Sequence, residues 1–235
     1  MMRKLIALFL ALALCLGAAS ALADRTITVS GTGEILVPAD TAVVSIGVTC
    51  RDKDALKAQS QANETIAAIR AALTAAGFSE EDISTGYINL NAVYDYSKDV
   101  EEIIAYNASS TLAVKVTDMG RVGEAIDLSF GAGANTLDGV SFSVSDDSAA
   151  RAEALKAAVA AAKEKAAILA DAAGMGELEI ESIQESNVYS FDSGVNNFSR
   201  KTYGAVEEAE MDSPTVVRAA KICVSATVTV TFEAK

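Results

Sequence analysis

The chain has 235 residues, with 19 Lys and Arg against 32 Asp and Glu, three Cys, and neither His nor Trp. Without histidine it has no Ser–His–Asp or Cys–His nucleophile, no HExxH zinc site and no imidazole proton shuttle. A formal charge of −13 and a pI near 4.4 argue against nucleic acid or an anionic membrane surface as the main partner. A composition 51% hydrophobic and 22% charged belongs to a folding chain rather than a disordered one.

Residues 1–23 read as a secretory signal. Arg3 and Lys4 form a basic start, residues 5–19 are uninterruptedly apolar, and Ala21-Leu22-Ala23 before Asp24 has the A-x-A form of a cleavage site. The apolar run is shorter than a spanning helix needs, so residues 24–235 are expected as an exported chain with no transmembrane span. Leu14 before Cys15 does not suit a lipid-attachment motif. Losing Arg3 and Lys4 takes the formal charge from −13 to −15.

Residues 27–37 and 41–50 alternate as two strands separated by Pro38-Ala39-Asp40, with Gly31 and Gly33 marking a bulge or a close backbone approach in the first. Residues 54–76 form a predicted helix. Its apolar stripe is Leu56, Ala62, Ile66, Ile69, Leu73 and Ala76, Asp52 or Asp54 serves its start, and Gly77 stops it. Strands at 87–94 and 108–117 flank an acidic loop, and a short helix at 121–130 ends at Gly131. Val140, Phe142 and Val144 alternate with serines as a further strand. Residues 149–173 make the longest helix. Leu155, Val159, Ala162, Ala166, Leu169 and Ala173 are its expected buried face, Asp147 or Ser148 its cap and Gly174 its stop. A strand at 178–189, a polar loop at 191–213 and a long strand at 216–232 close the chain.

The order helix, glycine, strand ending Val-Tyr, polar loop, strand occurs twice, through Gly77 and Val93-Tyr94 and again through Gly174 and Val188-Tyr189. The prediction is an α+β fold. It has a largely antiparallel sheet built from two βαββ-like repeats, two long helices packed on one face, and residues 24–235 as a single continuous domain.

Several stretches together carry a family resemblance. Ile27-Thr28-Val29-Ser30-Gly31-Thr32-Gly33 with Pro38-Ala39-Asp40 resembles the opening of the SIMPL-domain family. Asp82-Ile83-Ser84-Thr85 before Tyr94-Asp95-Tyr96 is similar to the segment after that family's first helix. Gly133-Ala134-Asn135, Gly139-Val140, Phe142 and Asp146 resemble its central stretch, and the helix ending Ala170-Asp171-Ala172-Ala173-Gly174 completes the match over residues 24–235. Ala39 departs from the family by separating a Pro and an Asp that are often adjacent. The resemblance implies an exported periplasmic or envelope protein, self-assembly in some members, a link to oxidative-stress defence in others, and an adaptor-like role for the eukaryotic member. It implies no catalytic residues.

Read directly, the residues point away from an enzyme. Gly31-Thr32-Gly33, Gly131-Ala132-Gly133 and Gly174-Met175-Gly176 do not extend to a phosphate-binding loop, and no GxSxG or SxxK is present. Strand phase sets Cys50 toward the core and Cys223 on a Ser/Thr face, which argues against a Cys50–Cys223 disulfide. Cys223, near Arg218 and Lys221, is the more accessible thiol by this phase. Asp95, Asp99, Glu101 and Glu102 form one acidic loop, and Glu207, Glu208, Glu210 and Asp212 another, without EF-hand spacing.

No catalytic, cofactor-binding or metal-ligating residue is therefore assigned. The expected function is a non-enzymatic, self-associating interaction or scaffold protein of the cell envelope, a homo-oligomer with an unidentified envelope partner. One alternative is a module binding small molecules or divalent cations through the acidic loops and Tyr94, Tyr96, Tyr189 and Tyr203. The other is a thiol-dependent antioxidant protein.

Overall fold

The computed structural model of the chain describes residues 25–96, 101–192, 214–219 and 221–235. The leader, most of the polar loop with its acidic run and Tyr203, and Asp99 of the first acidic loop lie outside the described residues. Among the described residues are seven strands, β1 (Thr26–Pro38), β2 (Thr41–Asp52), β3 (Ile83–Asp95), β4 (Glu102–Val116), β5 (Thr136–Ser143), β6 (Leu178–Asp192) and β7 (Lys221–Ala234). Three helices, α1 (Ala55–Ala75), α2 (Val122–Gly131) and α3 (Ser148–Ala173), accompany them.

The fold is α+β and antiparallel, as expected, but the strands divide between two sheets instead of one continuous sheet. One has the order β3-β4-β2-β5 and the other β1-β7-β6. The described residues fall into two compact units. The first comprises those up to Ile35, Ala149–Tyr189 and Ser225–Lys235, and the second Leu36–Ser148 with those between Ser190 and Val224. Each unit has one long helix. The sequence repeat is visible in the pairing, since each long helix leads into an edge strand (β3 or β6) that is followed by a central strand (β4 or β7). The third strand breaks the symmetry. β5, which precedes α3, pairs with β2, and β1 occupies the corresponding place beside β7.

In the four-stranded unit, β2 pairs along its whole length with β4, from Ala42 opposite Val116 to Asp52 opposite Tyr106. Ala42, Val44 and Ile46 of β2 and Leu112, Val114 and Val116 of β4 therefore share one face. α1 and α2 close over that face with Ile69, Leu73, Val122, Ala125 and Ile126. Asp54 caps α1 by accepting from the backbone N–H of Leu56 and Lys57 at 2.8 and 3.3 Å, and Gly77, at φ +90°, ends it. The expected stripe on α1 holds at Ala62, Ile69 and Leu73 but not at Leu56, which is 82% exposed. Ala58 is buried in its place, against Val48, Ala62 and Ala108.

In the three-stranded unit, the fully buried residues of α3 are all alanine. Ala150, Ala154, Ala158, Ala162, Ala166 and Ala170 are buried at every fourth position, while Leu169 is 48% exposed. The predicted face holds at Ala162 and Ala166 but is rotated elsewhere, and the glycines of β1 explain it. A Cβ on Gly31 would stand 2.0 Å from the Ala158 carbonyl oxygen, and one on Gly33 would stand 2.2 Å from that of Ala154. Helix and strand backbones meet almost directly, and only the smallest side chains fit between them. At the start of α3 the Asp146 carboxylate accepts from the Ser148 N–H at 2.9 Å. On the opposite face of β1, Thr28, Ser30 and Thr32 stand across from Thr231, Thr229 and Thr227 as a ladder of hydroxyls. β7 starts at Lys221, later than predicted, because 214–219 are not in a strand.

Gly31→Ala is expected to cost about 3 kcal/mol, the upper end for overpacking, since backbone rather than a movable side chain opposes the methyl. Gly131→Ala, which meets open space at the end of α2, should stabilise by roughly 0.4–1 kcal/mol. Urea unfolding midpoints of the two variants against the parent check both signs.

Candidate interaction surfaces

The residues singled out in the sequence do not converge. Cys50 is half-buried beside Val48, Ala58, Ala62 and Ala108, and desolvation pushes its thiol pKa up, away from the reactive thiolate. Cys223 is buried, not accessible as its phase suggested. Ile222, Cys223, Val224, Ser225 and Ala226 are buried in succession, so the start of β7 is covered on both faces and alternation stops reporting exposure there. No disulfide joins Cys50 and Cys223. Tyr94 and Tyr96 are neighbours, ring centroids 6.1 Å apart, and both are exposed. No group of three or more Cys, Asp or Glu side chains is placed to hold a metal among the described residues. The three glycine pairs serve as helix stops, turns and the β1–α3 contact.

The central family-like stretch has a structural job. After the turn at Gly133 (φ +106°), Asn135 donates its backbone N–H to the Gly47 carbonyl at 3.0 Å. Its side-chain amide then continues the ladder, accepting from the Thr49 N–H at 2.8 Å and donating to the Thr49 carbonyl at 3.0 Å. One asparagine thereby pairs two residues of β2 and sets where β5 begins. Asp40, in the turn after β1, accepts from the Ser145 N–H and hydroxyl at 2.8 and 2.7 Å, and from the Thr41 hydroxyl. These donors, those of Ser145 foremost, hold its pKa below the ordinary carboxylate value.

Two contacts around α2 were not evident in the sequence. Arg121 stacks 4.2 Å from the centroid of Phe78, donates to the Ala76 carbonyl at 2.8 Å and pairs with Glu124. It thereby ties the end of α1 to the start of α2. The second is a clasp. The Asp127 carboxylate accepts both the hydroxyl and the N–H of Thr215, at 2.5 and 3.0 Å. The strap beyond it approaches so closely that a Cβ on Gly123 would sit 1.9 Å from the Thr215 carbonyl oxygen, and Val217 packs on the core. An open hollow of about 700 Å³ lies beside this clasp, lined by Ala72, Leu128, Glu124 and Pro214 among others. It offers no convergent set of donors that would define a ligand.

The most distinctive surface is apolar. β3 and β4 pair with Ile83 opposite Val114, Ile88 opposite Ser110, Leu90 opposite Ala108 and Ala92 opposite Tyr106. Since β4 faces α1 with Leu112 and Val114, the same face of β3 carries Ile88, Leu90 and Ala92. α1 covers β2 and β4 but meets β3 near its start, where Arg70 donates to the Ile83 carbonyl at 2.7 Å. Further along, Ile88 is 61% and Leu90 43% exposed, and Tyr87, Tyr94, Ile103 and Ile104 are exposed as well.

With this geometry in view, the comparisons with known proteins define the class. The family model SIMPL, described as a protein of unknown function (DUF541), matches residues 27–232. The chain belongs to the SIMPL family. It is 34% identical over 164 residues to the 26 kDa periplasmic immunogenic protein of Brucella melitensis, covering 68% of this chain and 66% of that protein. The Brucella abortus protein of the same name is 33% identical over the same shares. The uncharacterized protein YggE of Escherichia coli is 30% identical over 133 residues, 57% of this chain and 54% of that one. The match spans just under two thirds of the Brucella proteins and about half of YggE. The export expected from residues 1–23 and the periplasmic location implied by the family resemblance agree with the compartment in the Brucella names. No helix among the described residues is long and apolar enough to cross a membrane.

The Asp127 clasp has a pH signature. Its hydrogen bonds from Thr215, hydroxyl first, lower the carboxyl pKa in the folded chain. The stabilisation is complete above the ordinary Asp value of about 3.9 and is lost as the pH falls through the lower folded value. Asp127→Asn should therefore lower the unfolding midpoint at pH 7 and flatten its decline between pH 5 and 3. Thermal melts across that range read both effects.

Proposed function

We propose that the chain acts in the cell envelope as a non-enzymatic, self-associating interaction or scaffold protein. The observation that carries this reading is the apolar strip on β3 and β4, left open on the face that elsewhere forms the core. In a chain of formal charge −13, mutual repulsion opposes self-association everywhere except on such an uncharged surface. An exposed apolar strip continuous with a core face is the kind of surface that protein partners cover.

The family-level link to oxidative-stress defence enters here only through the resemblance, and the thiols do not support a catalytic version of it. A reactive thiolate needs exposure and nearby positive charge, whereas Cys50 is desolvated and Cys223 buried. A protective role would then act through what the protein binds.

Multi-angle light scattering on the exported chain, from micromolar to high micromolar concentration, tests the reading. A mass above that of one chain, rising with concentration and with added salt as charge repulsion is screened, is expected. A strict monomer throughout would overturn it.

A further inference from the structure

β3 has a property that its exposure alone does not convey: it is a long edge strand with no charge or proline to guard it between Ile83 and Tyr94. The two sheets present four edges, β3 and β5 in one and β1 and β6 in the other. Natural edges are blocked against further pairing by charge, proline, brevity or bulges. β6 carries Glu179, Glu181 and Glu185, and β1 carries Glu34 and ends at Pro38. β5 has eight residues, Asp138, and a register shift against β2. β3 has thirteen residues and no charge or proline before its final Asp95. Its irregularities against β4 fall between Thr85 and Ile88 and between Val93 and Tyr94, leaving Ile88–Val93 regular.

We propose that β3 is the self-association element, pairing antiparallel with β3 of a second copy about a two-fold axis through Leu90. This rests on the self-associating reading above and gives it a geometry. The occupant is a second copy because the strand matches itself. With the axis at Leu90, Ile88 lies opposite Ala92 of the second copy, Asn89 opposite Asn91, and Leu90 opposite Leu90. All of Ile88, Leu90 and Ala92 remain on one face, since an antiparallel two-fold pairs residues of like parity. The exposed strips merge into one, the asparagine amides pair across the seam, and the four-stranded sheet becomes eight-stranded with α1 of both copies on the same side. Moving the axis to Asn89 would set Asp95 opposite Ile83 of the second copy, next to its Asp82. Like charges there disfavour that register. An acidic foreign segment would meet no basic group on β3 between Ile83 and Tyr94.

The test uses the exported chain with two kinds of substitution. Directly opposed residues in an antiparallel pair have Cα atoms roughly 4.5–5.5 Å apart, within disulfide reach. Leu90→Cys should therefore give a disulfide-linked dimer under mild oxidation. Ile183→Cys, as exposed but on the glutamate-guarded β6, should not. Asn91→Lys adds the missing guard at an exposed position and should weaken association at least about tenfold with an unchanged melting temperature. If the parent associates, but Asn91→Lys associates equally and Leu90→Cys links no better than Ile183→Cys, the β3 interface is wrong while self-association stands. If the parent is monomeric, both fall together.

Discussion

A helix is about 10–12 Å across and neighbouring strands are about 4.8 Å apart, so one helix covers roughly two strands. The four-stranded sheet of this chain has one long helix and one short one to cover it. α1 lies over β2 and β4, and α2 packs beside it against β2. Among the described residues, no element covers the outermost strand on the other side beyond its start. Arg70 of α1 reaches the first residue of β3, and beyond that point Ile88 and Leu90 continue the core face into the open. The exposed strip is thus a consequence of how many strands and helices the chain has, rather than of an unusual local sequence.

The three-stranded unit meets the same covering problem differently. α3 has 26 residues and could bury large side chains, yet its buried line is alanine at every fourth position. Gly31 and Gly33 remove the side chains that would hold it off the sheet, and Ile168 and Leu169 of α3 turn outward instead. Close backbone packing gives many small dispersion contacts in place of a few large buried side chains. It also makes the two glycines far less replaceable than Gly131, which meets nothing.

Local patterns were legible and long-range choices were not. The ends of α1 followed from Asp54 and Gly77, and alternation placed the central strands, because these signals act within a few residues. The face of α3 was misread because hydrophobicity ranks Leu155, Val159 and Leu169 above alanine, whereas the packing distance is dictated by glycines more than a hundred residues away. Cys223 was misread because alternation assumes one open face, and five successive buried residues show that both are covered there. The partition into two sheets depends on β1 pairing with β7 and β5 with β2, and no local residue announces either pairing. The Arg121 stack on Phe78 and the clasp of Asp127 on Thr215 are likewise meetings of distant segments. Asn135 was visible as part of a family-like stretch, but its reason, an amide standing in for a strand residue beside Thr49, needed the register.

The open strand had a trace in the sequence that hydropathy alone does not weigh. In a chain where 22% of residues are charged, Ile83 to Tyr94 contains none, although acidic residues stand immediately on either side at Asp82 and Asp95. A core strand loses its charges because both faces are covered, and among the described residues β3 has no such cover beyond its start. Its neutrality therefore calls for another cause, and the free backbone of an edge supplies one. Charges along that edge would oppose a neighbouring strand, as the glutamates of β6 do, while their absence permits pairing. An acidic protein that keeps one long neutral edge confines attraction between copies to that edge and repels everywhere else, which makes association specific in register as well as favourable.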